Sequence, residues 1–202
     1  MQGADQTTGP GEPGETADAP PPGLVIYALP VGGGTLAMAS LPGRSGDYRG
    51  DLDVFHEWKP GIVVSMTTEA EMAEVGGVNL GSDIQTMASR WCHLPVPDFN
   101  APGVEVNAKW PEVSRNVRQA LKGGGRVIVH CRGGCGRSGM VVLRLMIEAG
   151  EDRFAALNRL RGLRDCAVET KGQLQWAFAA VPPDAGAKVS DDGGSAWPVA
   201  RD

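Results

Sequence analysis

The chain has 202 residues, a formal net charge of −5 and 42% hydrophobic residues, which suits one domain built on a single substantial core. The acidic balance argues against nucleic-acid binding, which draws on clustered Lys and Arg, and no apolar run is long enough to span a membrane. The four cysteines fall in no paired zinc-type spacing, which favours free thiols in a reducing compartment. With no basic-then-apolar signal order at the start, the expected location is cytoplasmic.

Residues 1–22 are rich in Gly, Pro, Asp, Glu and Thr and close on Pro20-Pro21-Pro22, so a disordered N-terminal tail is expected there. A flexible C-terminal tail is expected over 182–202, leaving 23–181 as the catalytic domain. Leu24-Val25-Ile26-Tyr27 and Thr35 to Ala39 read as two strands joined through a hairpin at Gly32-Gly33-Gly34. Asp51 to Trp58 suggests a helix and Gly61 to Met66 a buried strand. Thr68-Glu69-Ala70-Glu71 has the spacing of a capping box that opens the next helix. Asn79 to Ser89 reads as helix, Trp91 to Leu94 as strand, and Val104 to about Leu121 as a longer helix. Arg126 to Val129 is a short buried strand, and helices follow at roughly 138–149, 151–162 and 171–180. Strands alternating with helices predict an α/β fold, a three-layer sandwich whose mainly parallel central sheet is flanked by helices. Asp47, Asp51, Asp53 and Asp83 are expected to face solvent near helix starts.

The chemistry concentrates between the strand at 126–129 and the helix at 138–149, in His130-Cys131-Arg132-Gly133-Gly134-Cys135-Gly136-Arg137-Ser138-Gly139. A strand–loop–helix of this kind gathers backbone N–H groups and the positive end of a helix dipole into one concavity suited to a dianion. Gly133, Gly134 and Gly136 let the backbone curl without Cβ atoms in the way. Helix terminus, loop amides and Arg137 all favour a Cys131 thiolate. Arg137 is a planar fork able to hold two phosphate oxygens. Ser138 is placed to donate to the Cys131 sulfur, and His130 to bond the loop backbone and hold its shape. The expected phosphate cradle is Arg132, Gly133, Gly134, Cys135, Gly136 and Arg137.

This segment resembles the signature His-Cys-x-x-Gly-x-x-Arg-Ser/Thr of the cysteine-dependent protein tyrosine phosphatase superfamily, and matches it at every defined position. The resemblance implies a phosphatase-like fold and a general acid on a separate loop. In His93-Leu94-Pro95-Val96-Pro97-Asp98-Phe99 that acid is Asp98, as an alternative to a loop aspartate making an Asx turn. The stretch Arg164 to Gln173 is similar to a dual-specificity segment whose glutamine positions the hydrolytic water. Gln173 would take that role, although Thr170-x-x-Gln173 equally satisfies a capping box. Through these features residues from about 24 to 180 resemble the dual-specificity branch, of the cyclin-dependent-kinase-associated type.

Cys135, inside the loop, and Cys92, on a strand expected beside it, are candidate redox partners for Cys131, or else small apolar fillers. Arg132 either adds charge to the pocket or faces solvent. The expected reaction is hydrolysis of phosphotyrosine and phosphoserine or phosphothreonine in proteins through a phosphocysteine, with no metal and no cofactor. Inositol phosphates are an alternative substrate class, a phosphorylated small molecule included. A rhodanese-like sulfurtransferase, an arsenate reductase and a non-catalytic phosphoprotein-binding module are the rival readings.

Overall fold

The computed structural model describes residues 23–181, and the expected tails at 1–22 and 182–202 lie outside the described residues. Its sheet has the strand order β1 (Tyr27–Val31), β2 (Gly34–Ser40), β5 (Arg126–Cys131), β3 (Ile62–Ser65), β4 (Arg90–His93). β1 and β2 form the expected hairpin, with Gly32 and Gly33 both at positive φ, 59° and 99°, in a two-residue turn. All other pairings are parallel. The first strand starts at Tyr27, where the sequence pattern has it ending. Leu24 is instead taken up by a loop contact, its amide donating to Asp51 Oδ1 at 3.1 Å.

Alternation along the strands divides the core into two. Leu36, Met38, Val127, Val129, Ile62 and Val64 point to one face, against α4 (Val104–Lys122), α5 (Gly136–Glu148), α6 (Arg153–Leu163) and α7 (Lys171–Phe178). Ala37, Ala39, Ile128 and Val63 point to the other, against α1 (Tyr48–Trp58), α2 (Glu69–Glu74) and α3 (Leu80–Thr86). A period of two that is apolar on both faces marks a strand covered on both sides. The result is the three-layer α/β sandwich with a mainly parallel sheet. No helix among the described residues is long and apolar enough to cross a membrane.

Three of the four aspartates expected at the surface have structural partners. Asp51 is only 4% exposed. Its carboxylate accepts from the Leu24 and Gly43 amides, at 3.1 and 2.8 Å, which compensates its burial. Asp83 accepts from the Tyr48 hydroxyl at 2.7 Å. Asp47 is the N-cap of α1, accepting from Gly50 N. The Thr68–Glu71 capping box opens α2 as its spacing predicts.

Candidate active site

Central strand β5 delivers Cys131 at its carboxyl end, and α5 begins after the turn formed by residues 132–135. Open α/β sheets place their ligands at this position. Cys131 is 2% exposed and lies at a cleft of about 380 Å³, with Asp98, Arg132, Gly133, Cys135 and Gly136 in its walls. Ser138 Oγ stands 3.3 Å from Cys131 Sγ, within reach to donate to it. Gly134 adopts φ 67°, and a Cβ there would sit 2.7 Å from the Ala39 carbonyl carbon, so glycine is required on two counts. The amides of Gly133 to Gly136 enter no turn or ladder hydrogen bond among the described residues.

Arg137 is almost wholly buried and holds three segments together. Nη1 donates to Glu71 Oε2 and to the Val96 carbonyl, both at 2.8 Å. Nη2 donates to Glu71 Oε1 at 2.7 Å and stands 3.0 Å from Asp98 Oδ1. Its Nε–H has no partner among the described residues. A buried donor left over is expected to find an acceptor, and an oxyanion in the cleft would supply one. Burial pushes the Glu71 carboxyl up, but hydrogen bonds from Arg137 and the Thr68 amide outweigh it and hold the pKa at about 2.

Asp98 lies in the loop between β4 and α4, its side chain about half exposed, accepting from the Phe99 amide at 3.1 Å as well as facing Arg137. The loop that carries it is therefore docked on the guanidinium by both Asp98 and Val96. Gln173 is wholly buried. Its Oε1 accepts from the Glu169 and Thr170 amides, which completes the α7 capping box, and its Nε2 donates to the Asn100 carbonyl. A Cβ on Gly136 would meet the Gln173 amide within 3.0 Å. Gln173 thus caps a helix while touching both the Asp98 loop and the cysteine loop.

Three expectations need correction. His130 does not bond the loop backbone: it is fully buried, and Nε2 lies 2.6 Å from Ser65 Oγ on β3. Ser65 Oγ already accepts the Trp91 indole N–H at 2.8 Å, so its own proton is available to His130. Burial, then the charges of His93 and Arg137, depress the His130 pKa to about 3, which keeps the ring neutral. Arg132 is a rim residue, about half exposed, whose guanidinium pairs with Glu74, so its charge is spent on α2 rather than in the cradle. The cysteines are not all free thiols. Cys135 forms a disulfide with Cys166 and so is not available to Cys131, and Cys92 sits on β4, separated from β5 by β3.

Several residues at the site were given no role in it by the sequence, Arg164 entering only as the start of the segment that ends at Gln173. Glu71 read only as a helix cap. Arg44 and Arg164 line the cleft and continue into a neighbouring cavity of about 220 Å³, and neither makes a salt bridge among the described residues. Glu169 and Phe99 complete the rim. Glu71 comes from α2 and the others from loops, and only the fold brings these segments together.

Residues 38–151 match a family described as polymorphic toxin system, DSP-PTPase phosphatase. The chain belongs to that family. Solved structures agree with a DSP-PTPase fold. A kinase-associated phosphatase carrying a substitution of its catalytic cysteine is 21% identical, with a TM-score of 0.67 over 77% of this chain and 93% of that one. Tk-PTP in its active form is 28% identical, with a TM-score of 0.59 over 75% and 94%. PTPMT1 in complex with PI(5)P is 16% identical, with a TM-score of 0.59 over 70% and 86%. No curated protein matches the chain. This DSP-PTPase is a cysteine-dependent phosphatase of the dual-specificity type, and a phosphorylated substrate follows from that.

Proposed function

We propose that residues 23–181 form a catalytic domain that hydrolyses phosphate monoesters on proteins through a phosphocysteine. The observation that carries this reading is that Cys131 and Asp98 line one cleft, with buried Ser138 3.3 Å from the Cys131 sulfur and buried Arg137 3.0 Å from Asp98. Cys131 thiolate attacks phosphorus in line while Arg137 and the loop amides hold the equatorial oxygens. Asp98, swinging off Arg137, protonates the leaving oxygen. Ser138 donates to the sulfur and eases its departure when water hydrolyses the phosphocysteine, with Asp98 as base. Gln173 acts by positioning: it fixes the acid loop through Asn100 and packs beside Gly136, and its Oε1 is occupied by backbone amides.

A second anionic group on the substrate has a place to bind, because Arg44 and Arg164 connect the cleft to the adjoining cavity. This favours phosphoprotein segments with a further phosphate or carboxylate nearby, and by the same chemistry inositol phosphates as a second reading. The cytoplasmic expectation rested in part on free thiols, and the Cys135–Cys166 bond removes that part of its support.

The test is hydrolysis of p-nitrophenyl phosphate with EDTA present, by wild type, Cys131→Ser and Asp98→Asn, followed by a panel of phosphopeptides and inositol phosphates. Near-complete loss in Cys131→Ser is expected. Full activity in that variant, or activity that needs a metal, overturns the mechanism.

A further inference from the structure

The segment between α6 and α7 bears directly on the shape of the cysteine loop. Cys166 is bonded to Cys135, the N-cap residue of α5, with Cα atoms 5.4 Å apart. Arg164 donates Nε to the Gly134 carbonyl and Nη2 to the Gly133 carbonyl, both at 3.3 Å, and Nη2 lies 3.4 Å from Cys135 Sγ. Its guanidinium is fixed from the other side by Tyr27, stacking at 4.3 Å and bonding the hydroxyl at 2.7 Å. The segment is also packed tightly: a Cβ on Gly139 would lie 2.9 Å from the Val168 amide nitrogen. Val168 itself sits at φ 66°, a left-handed conformation that a β-branched residue adopts only when its surroundings impose it. Arg161 donates to the Ala167 and Val168 carbonyls, both at 3.1 Å, and helps to impose it.

In a trans peptide the C=O and N–H point in opposite directions. With the Gly133 and Gly134 carbonyls held on Arg164, the following amides, those of Gly134 and Cys135, are turned the other way, toward the anion. We infer that Arg164 and the Cys135–Cys166 disulfide are a redox-dependent clamp that sets the phosphate-binding shape of the loop, so that the oxidised chain is the tight-binding form. Arg164, Cys135 and Cys166 are positioning residues in this scheme, and the inference rests on the cleft being the phosphate site. Opening is thiol–disulfide exchange. One glutathione thiolate attacks a disulfide sulfur and forms a mixed disulfide. A second displaces the remaining cysteine, giving glutathione disulfide and two cysteine thiols that carry the protons of the two glutathiones. Glutathione disulfide drives the reverse.

The test uses Cys131→Ser, in which the nucleophile cannot take part in thiol–disulfide exchange. The protein is equilibrated in reducing and in oxidising glutathione buffers, the state of Cys135 and Cys166 is read by mass after alkylation, and inorganic phosphate binding is measured by calorimetry well below the melting temperature. The oxidised form is expected to bind phosphate about tenfold more tightly, the gain of a preorganised site. Adding Cys166→Ser should give the weak affinity in both buffers. If that double variant does not fold, the reduced single variant makes the same comparison. Equal affinity in the two states, with the bond verified open in one, overturns the clamp while leaving the cleft a phosphate site. No phosphate binding in either state overturns the phosphate site itself, and the clamp with it.

Discussion

The Glu71 carboxylate grips the Arg137 guanidinium at two points, Oε1 to Nη2 at 2.7 Å and Oε2 to Nη1 at 2.8 Å, while the same Oε2 accepts the Thr68 amide. One side chain therefore opens a helix and orients the arginine proposed to bind phosphate. Replacing Glu71 with Ala leaves buried Arg137 with only the half-exposed Asp98 as counter-charge. Removing one partner of such a pair costs about 3–5 kcal/mol. Urea denaturation should show a loss of that order, and phosphate affinity should fall as well. A variant as stable as wild type would show that Val96 and Asp98 suffice to hold the arginine.

Asp98→Asn should lower kcat by roughly 10²–10⁴, the usual contribution of a positioned general acid. The loss should be smallest for substrates with acidic leaving groups, which need no proton. Steady-state kinetics over a series of aryl phosphates checks this, and a loss independent of leaving-group pKa would remove Asp98 from the role.

Acidification should destabilise the fold in two overlapping stages. The His130 pKa is depressed to about 3 from an ordinary 6.5, so the unfolded chain binds the extra proton first. Stability contributed by neutral His130 is complete above about pH 6.5 and is lost as pH falls toward 3, at up to about 1.4 kcal/mol per pH unit. Glu71, depressed to about 2 from 4.5, contributes stability that is present above 4.5 and lost as pH falls through 2. Thermal melts from pH 8 to pH 3 should be level at first and then slope downward below about 6.5. His130→Asn should flatten the first part of that slope, and a slope unchanged in the variant assigns it elsewhere.

Arg44→Ala should leave p-nitrophenyl phosphate hydrolysis nearly unchanged, because Arg44 is an exposed rim residue without a contact to Cys131 or Arg137. Against a doubly phosphorylated peptide KM should rise by roughly tenfold, the scale of one charge-assisted contact. Equal KM changes for singly and doubly phosphorylated peptides would mean that Arg44 does not read the second group.

The sandwich could be read from the sequence because its strands are covered on both faces and its helices carry cap signals. Arg126 to Val129 and Thr68 to Glu71 needed no distant partner to declare themselves. Cys131, Arg137 and Ser138 were legible for the same reason, since their geometry is local to one strand, one turn and one helix. Glu71 was hidden because a cap explained it completely. The Cys135–Cys166 pair was hidden because two cysteines thirty-one residues apart in an acidic chain give no hint of pairing until α5 and α6 fold back on each other. The contacts of Arg164 and Arg44 were hidden for a related reason: loop arginines reveal their direction only once the sheet sets the loops side by side.

Arg137 already carries an anion belonging to this chain, the Asp98 carboxylate at 3.0 Å from Nη2. Binding of a phosphate is therefore an exchange between two oxyanions over one cation, and its strength is a difference between two ion pairs. In the proposed mechanism that arrangement disfavours weakly charged intruders, which cannot displace the resident carboxylate, and it couples arrival of the dianion to release of the loop that carries the proposed acid. Entry of the right charge and delivery of the acid become a single event.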